Sequence, residues 1–161
     1  MQKYHFPKGN FTDFWNLMRN EKIHFFYQDV RFAFQNREAL KAFLIKLFRK
    51  EQTPLASLNV IFCSDDDLLE INRHYLHHNY YTDIITFPLS QKGNPVKAEL
   101  YISIDRVKDN AMQNKSSFKK ELHRVIFHGC LHLTGYNDKS SQQIKKIRER
   151  EDHYLRLYFD E

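Results

Sequence analysis

Two histidines, His128 and His132, stand four residues apart in the segment His128-Gly129-Cys130-Leu131-His132-Leu133-Thr134-Gly135-Tyr136-Asn137-Asp138. On a helix of about 3.6 residues per turn, that spacing stacks both imidazoles on one face, where they can reach a single ion. Gly135 follows where a left-handed residue would end the helix. The chain can then fold back and offer Asp138, six residues after His132, as a third ligand. Two imidazoles and a carboxylate suit Zn²⁺, with other divalent metals possible, and leave a fourth position for water. An open position is what metal-assisted hydrolysis needs, because the ion lowers the pKa of water there towards about 7.

The pair taken alone is also what chance gives a chain with nine histidines; Gly135 and Asp138 are what favour a metal. His74 and His78 form another such pair, with neither the glycine turn nor the carboxylate, and read as solvent-facing or substrate-contacting. Cys130, nearly opposite His128 on the helix, reads as a small buried side chain. Gly129 stands where peptidases of the His-Glu-x-x-His type carry their general base, so peptide hydrolysis by that route lacks its base.

The elements that must position these residues are legible from periodicity. Ile23–Tyr27 and Val30–Phe34 read as short strands around Gln28-Asp29. Asn36 is expected to cap a helix whose apolar stripe is Leu40, Phe43, Leu44, Leu47 and Phe48, with Pro54 beyond its end. Leu58–Cys63 reads as a buried strand. Ser64-Asp65-Asp66-Asp67 starts a short helix, its carboxylates suited to the positive helix end, which finishes among His74, Tyr75, His77 and His78. Ile84–Phe87 is a strand stopped by Pro88, Gly93-Asn94-Pro95 a turn, and Leu100–Ile104 a further strand. Helices are expected over Asp105–Gln113, from Ser116 or Ser117 towards Leu133, and along Ile144, Ile147, Tyr154, Leu155 and Tyr158 with Glu151 on the edge of that face. The Lys145-Lys146-Arg148-Arg150 run reads as the solvated face of that last helix. Irregular alternation of helix and strand predicts an α+β domain, a small mixed β-sheet packed against helices.

The chain has 161 residues, and one domain is the natural expectation. Residues 1–20, polar and aromatic with weak periodicity, read as an N-terminal extension, and 21–161 as the domain. A hydrophobic content of 42% excludes disorder of the whole. No apolar run approaches the roughly 18 residues of a membrane helix, and the first residues lack a signal peptide's apolar core. Cys63 and Cys130 are too few for a disulfide framework, so a soluble, cytoplasmic protein with reduced thiols is expected. The net charge of +5 permits a polyanionic partner.

The pattern H-G-x-L-H-L-x-G-Y over His128–Tyr136, with a third ligand six residues after the second histidine, resembles the YbeY family of bacterial metal-dependent endoribonucleases. Ile71-Asn72 through Tyr75, the run Thr82-Asp83-Ile84-Ile85-Thr86-Phe87-Pro88, and Ala98-Glu99-Leu100-Tyr101-Ile102-Ser103 are similar to further blocks of that family. Three features depart from it. Asp138 replaces the usual histidine, which keeps ligation and shifts preference towards harder ions. Leu76 replaces an arginine, leaving Arg73, His77 or His78 to compensate, and Ala98-Glu99 replaces Gly-Asp.

The resemblance implies a zinc-hydrolase-like YbeY fold with the metal site at a helix end, and His128, His132 and Asp138 as metal ligands acting catalytically through Zn²⁺. It further implies single-strand-specific cleavage of RNA, maturation of rRNA including the small-subunit 3′ end, and a part in ribosome quality control with the ribosome or its small subunit as partner. Arg73, Arg106 and Arg124 are the candidates for substrate phosphates; Arg124, four residues before His128, is expected on the metal-facing side. Tyr80, Tyr81 and Tyr136 are candidates for stacking on unpaired bases. The alternatives are a non-catalytic, metal-stabilised ribosome-assembly factor and, weakened by Gly129, a metallopeptidase.

Overall fold

The computed structural model describes residues 22–160, so the expected extension over 1–20 lies outside the described residues. The elements run β1 (Ile23–Tyr27), α1 (Arg37–Lys50), β2 (Leu55–Cys63), α2 (Asp65–Leu76), β3 (Ile84–Pro88), β4 (Val96–Ser103), α3 (Ile104–Gln113), α4 (Phe118–Leu133) and α5 (Ser141–Asp160). The four strands form one mixed sheet in the order β1-β2-β4-β3, with β1, β2 and β4 parallel and β3 antiparallel to β4 at the edge. Parallel neighbours need a crossover; α1 provides it between β1 and β2, and α2 with β3 between β2 and β4.

The sheet is covered on both faces, which explains the nearly continuous apolar run of its central strand β2. Leu58, Val60 and Phe62 join Leu100 and Ile102 of β4 in a core closed by the stripe of α1 and by Leu122, Val125 and Ile126 of α4. On the opposite face Cys63 and Ile85 pack with Leu68 of α2. Both cysteines are free and buried. Among the described residues no helix is long and apolar enough to cross a membrane.

Three sequence expectations need correction. No strand forms over 30–34: Asp29 turns the chain at φ 53°, and Phe32 and Phe34 set their rings edge-on to Phe62. The aromatic signal there came from packing, not from ladder pairing. Asn36 precedes α1 in a left-handed conformation, φ 56°, and its side chain caps nothing. Ile104 opens α3, because the Ser103 hydroxyl accepts from the Arg106 backbone N–H at 3.1 Å and so caps a helix there. At the start of α4 the cap is Ser117, which accepts from the Lys120 N–H at 3.2 Å.

Candidate metal centre

Helix α4 carries the two histidines because its opposite side is anchored in the core by Leu122, Val125, Ile126, Phe127, Cys130 and Leu131. Gly129 allows the helix to approach the sheet: a Cβ there would stand 2.6 Å from Ile84 Cδ1 and 2.9 Å from Leu100 Cδ2. A side chain at 129 would therefore collide with the sheet, and the carboxylate that serves peptidases as general base is absent at this position.

The helix ends in a Schellman motif. Tyr136 N–H donates to Leu131 C=O and Gly135 N–H to His132 C=O, both at 3.1 Å, with Gly135 at φ +104°. This turn aims the Tyr136 carbonyl at the His132 ring, whose Nδ1 donates to it at 2.9 Å, and lets the chain return Asp138.

His128 Nδ1 donates to Glu151 Oε1 at 2.7 Å. A carboxylate and a carbonyl only accept, so in both rings Nδ1 carries the proton and Nε2 is left as the lone-pair donor. The two Nε2 atoms face each other at 3.0 Å. Asp138 Oδ2 completes the group, 3.3 Å from His132 Nε2 and 3.8 Å from His128 Nε2. Ligand atoms about 2.1 Å from a tetrahedral ion are separated by roughly 3.4 Å, so these three donors fit one ion. Glu151, only 4% exposed, is held in turn by Arg124 Nη1 at 3.2 Å. Burial pushes the His128 imidazole towards its neutral form, but the Glu151 carboxylate outweighs burial and the net shift is upward.

The ligands lie in the wall of a cleft of about 1170 Å³, whose other lining includes Asn72, His78, Tyr80, Asp83, Lys92 and Lys139. The three arginines expected to meet substrate phosphate are not among its lining residues. Arg106 is paired with Asp65 at 2.8 Å and with Asp109 at 3.2 Å. Arg124 is bound to Glu151 and, at 2.7 Å, to Asp152; it meets His128 through Glu151. Arg73 donates to Asn79 Oδ1 at 2.6 Å on the surface.

Arg150 also departs from expectation. It turns away from the solvated face to pair with Glu51, which further accepts from Tyr154 at 2.5 Å and from the Tyr136 hydroxyl at 3.1 Å. Sequence reasoning missed the pairing of Glu151 with His128 and of Glu51 with Arg150, and the place of Lys92 and Lys139 in the cleft lining. Glu151 had a signal: a charge within the apolar stripe of α5 needs a partner when buried.

A family model described as Endoribonuclease YbeY matches residues 19–158. The chain belongs to the YbeY family. With that membership it is an enzyme of the hydrolase class whose relatives carry the name endoribonuclease. An Endoribonuclease YbeY from Cytophaga hutchinsonii is 46% identical over 140 residues, 87% of this chain and 98% of that one. Another from Amoebophilus asiaticus is 37% identical over 138 residues, 86% of this chain and 94% of its own. The solution structure of TM1509 from Thermotoga maritima superposes with a TM-score of 0.61 at 27% identity, covering 86% of this chain and 89% of that one. In this YbeY chain the group that could hold a metal ion is two histidines and an aspartate.

Proposed function

We propose that this protein is a Zn²⁺-dependent, single-strand-specific endoribonuclease of the cytoplasm. Its role is rRNA processing, including maturation of the small-subunit rRNA 3′ end, and ribosome quality control, with the ribosome or its small subunit as partner. The observation that carries this reading is the inward-facing pair of Nε2 atoms, completed by Asp138, in the wall of an open cleft. An ion bound there supplies Lewis acidity for attack on a phosphodiester.

The chain's own residues do the rest. Glu151 and the Tyr136 carbonyl hold both imidazoles in the ligating tautomer. Asp138, with 45% of its side chain exposed, leaves the site open on the cleft side. Lys92 and Lys139 line the cleft and are the cations we assign to substrate phosphates. In place of direct phosphate contact, Arg124 is assigned the positioning of Glu151. Structural zinc sites usually have four protein ligands; the three-donor set here favours an enzyme over a metal-stabilised assembly factor.

The test is cleavage of unpaired RNA by purified protein, alongside its metal content. Wild type should hold a divalent ion and cut single strands but not duplex, and chelator or His132→Ala should abolish both properties. Cleavage that survives both treatments, or equal metal in His132→Ala, would overturn the reading.

A further inference from the structure

The turn between α2 and β3 presents aromatic rings for which the metal centre has no use. Asn72, 1% exposed, donates its side-chain amide to the Tyr80 carbonyl at 2.9 Å, and His78 N–H donates to the Asn72 carbonyl at 3.2 Å. His77, left-handed at φ 56°, closes the helix between them. So pinned, the loop lays the Tyr80 ring against the His78 imidazole, with centroids 5.2 Å apart and planes inclined by 21°. The Tyr80 hydroxyl and His78 Nδ1 are 3.1 Å apart. Tyr80 is nevertheless 57% exposed, and both residues line the cleft that holds His128, His132 and Asp138.

The other two tyrosines offered by the sequence are otherwise engaged. Tyr81 donates to Asp66 at 3.3 Å, and the Arg106 guanidinium stands 5.3 Å from its ring centroid. Tyr136 donates to Glu51 at 3.1 Å beneath the Lys146 ammonium, 5.5 Å from its ring.

We infer that Tyr80, backed by His78, is a nucleobase-stacking subsite for an unpaired strand whose phosphate lies at the metal ligands. The inference rests on the ribonuclease reading above and adds a source of its single-strand preference. A base in a duplex is already stacked between neighbours, whereas an unpaired base can be splayed onto an aromatic face. Stacking is tolerant of sequence, since every base has such a face. Because Asn72 holds the Tyr80 backbone and His78 backs its ring, little ordering cost falls on binding.

The test uses the metal-loaded full chain and a 2′-O-methyl oligonucleotide, which keeps the bases and resists cleavage, with abasic versions at successive positions. Cleavage of unmodified RNA is followed in parallel. Tyr80→Ala should weaken binding roughly 5- to 150-fold, the loss of the ~1–3 kcal/mol contributed by one stacked base, while Tyr80→Phe binds like wild type. One abasic position should weaken wild type to a similar degree and leave Tyr80→Ala unchanged. If Tyr80→Ala binds like wild type while wild type cuts RNA, the subsite alone is wrong, and the exposed ring then points to a protein contact. If wild type neither binds nor cuts, the ribonuclease reading falls and takes the subsite with it.

Discussion

Glu151 Oε1 lies 2.7 Å from His128 Nδ1, and this contact between α5 and α4 determines which imidazole nitrogen is available to an ion. The Tyr136 carbonyl does the same for His132 from within the helix-ending turn. With both Nδ1 protons committed, two lone pairs confront each other at 3.0 Å beside the Asp138 carboxylate. Lone pairs so placed repel unless a cation or a proton stands between them. The geometry of the three donors is thus held by groups outside the triplet.

Glu151→Gln should therefore weaken Zn²⁺ binding by about 10- to 100-fold, the usual effect of losing a partner behind a ligating histidine. Glutamine still accepts from Nδ1 but brings no charge to support the ring's basicity. Competition with a chromophoric chelator measures the change, with circular dichroism showing the fold retained. Unchanged affinity would mean that Glu151 has no bearing on the ligand.

Gly129→Ala should destabilise the protein by about 1–3 kcal/mol, the cost of overpacking a filled core. The added methyl would meet Ile84 Cδ1 at 2.6 Å and Leu100 Cδ2 at 2.9 Å, two side-chain tips of the sheet. Adding Ile84→Val, which deletes the nearer atom, should restore part of the loss in urea unfolding. No recovery in the double variant would show that the backbone, not this contact, is responsible.

The convergence of His128, His132 and Asp138 could be read along the chain because helical spacing and a glycine-ended turn are local. The stripe of α1 and the Ser64 cap are local in the same sense, and both stand in the structure. Arg124 shows where such reading stops: it lies on the expected side of α4, but carboxylates of another helix claim it. Phe32 and Phe34 have the β propensity of a strand and serve as a lid on Phe62. The Glu51–Arg150 pair joins residues 99 apart, and no pattern in either neighbourhood announces it.

That pair supports the loop leading to Asp138 from behind, through Tyr136. Desolvation pushes the Glu51 carboxyl up, but its bonds from Tyr154, Arg150 and Tyr136 prevail and hold it below the ordinary carboxylate value. Its contribution is present above the unfolded pKa of about 4.3 and is lost as pH falls through the folded value. Glu51→Gln should cost about 1–3 kcal/mol, towards the lower end because Arg150 keeps 33% of its side chain in contact with water. Adding Arg150→Met should recover part of this, since removing both charges leaves neither unpaired. Zn²⁺ affinity should change less than in Glu151→Gln, because Glu51 reaches His132 only through the Tyr136 backbone.

His123 gives the fold a separate acid sensitivity. It is 1% exposed, among Phe34, Phe127, Tyr158 and Phe159. Its Nδ1 donates to the Lys119 carbonyl at 2.6 Å, while Nε2 has no partner among the described residues. Burial lowers its pKa from 6.5 to about 4, so between those values the unfolded chain takes a proton that the folded one refuses. Stability should fall with pH across that window by roughly 1.4 kcal/mol per unit from this residue alone, with no contribution at neutral pH. His123→Phe keeps an aromatic ring in the cluster and removes the titrating group. Urea unfolding at pH 7 should then differ little between the two proteins, while at pH 5 the variant should be the more stable. Parallel pH profiles would show that His123 titrates as freely in the folded protein as in the unfolded chain.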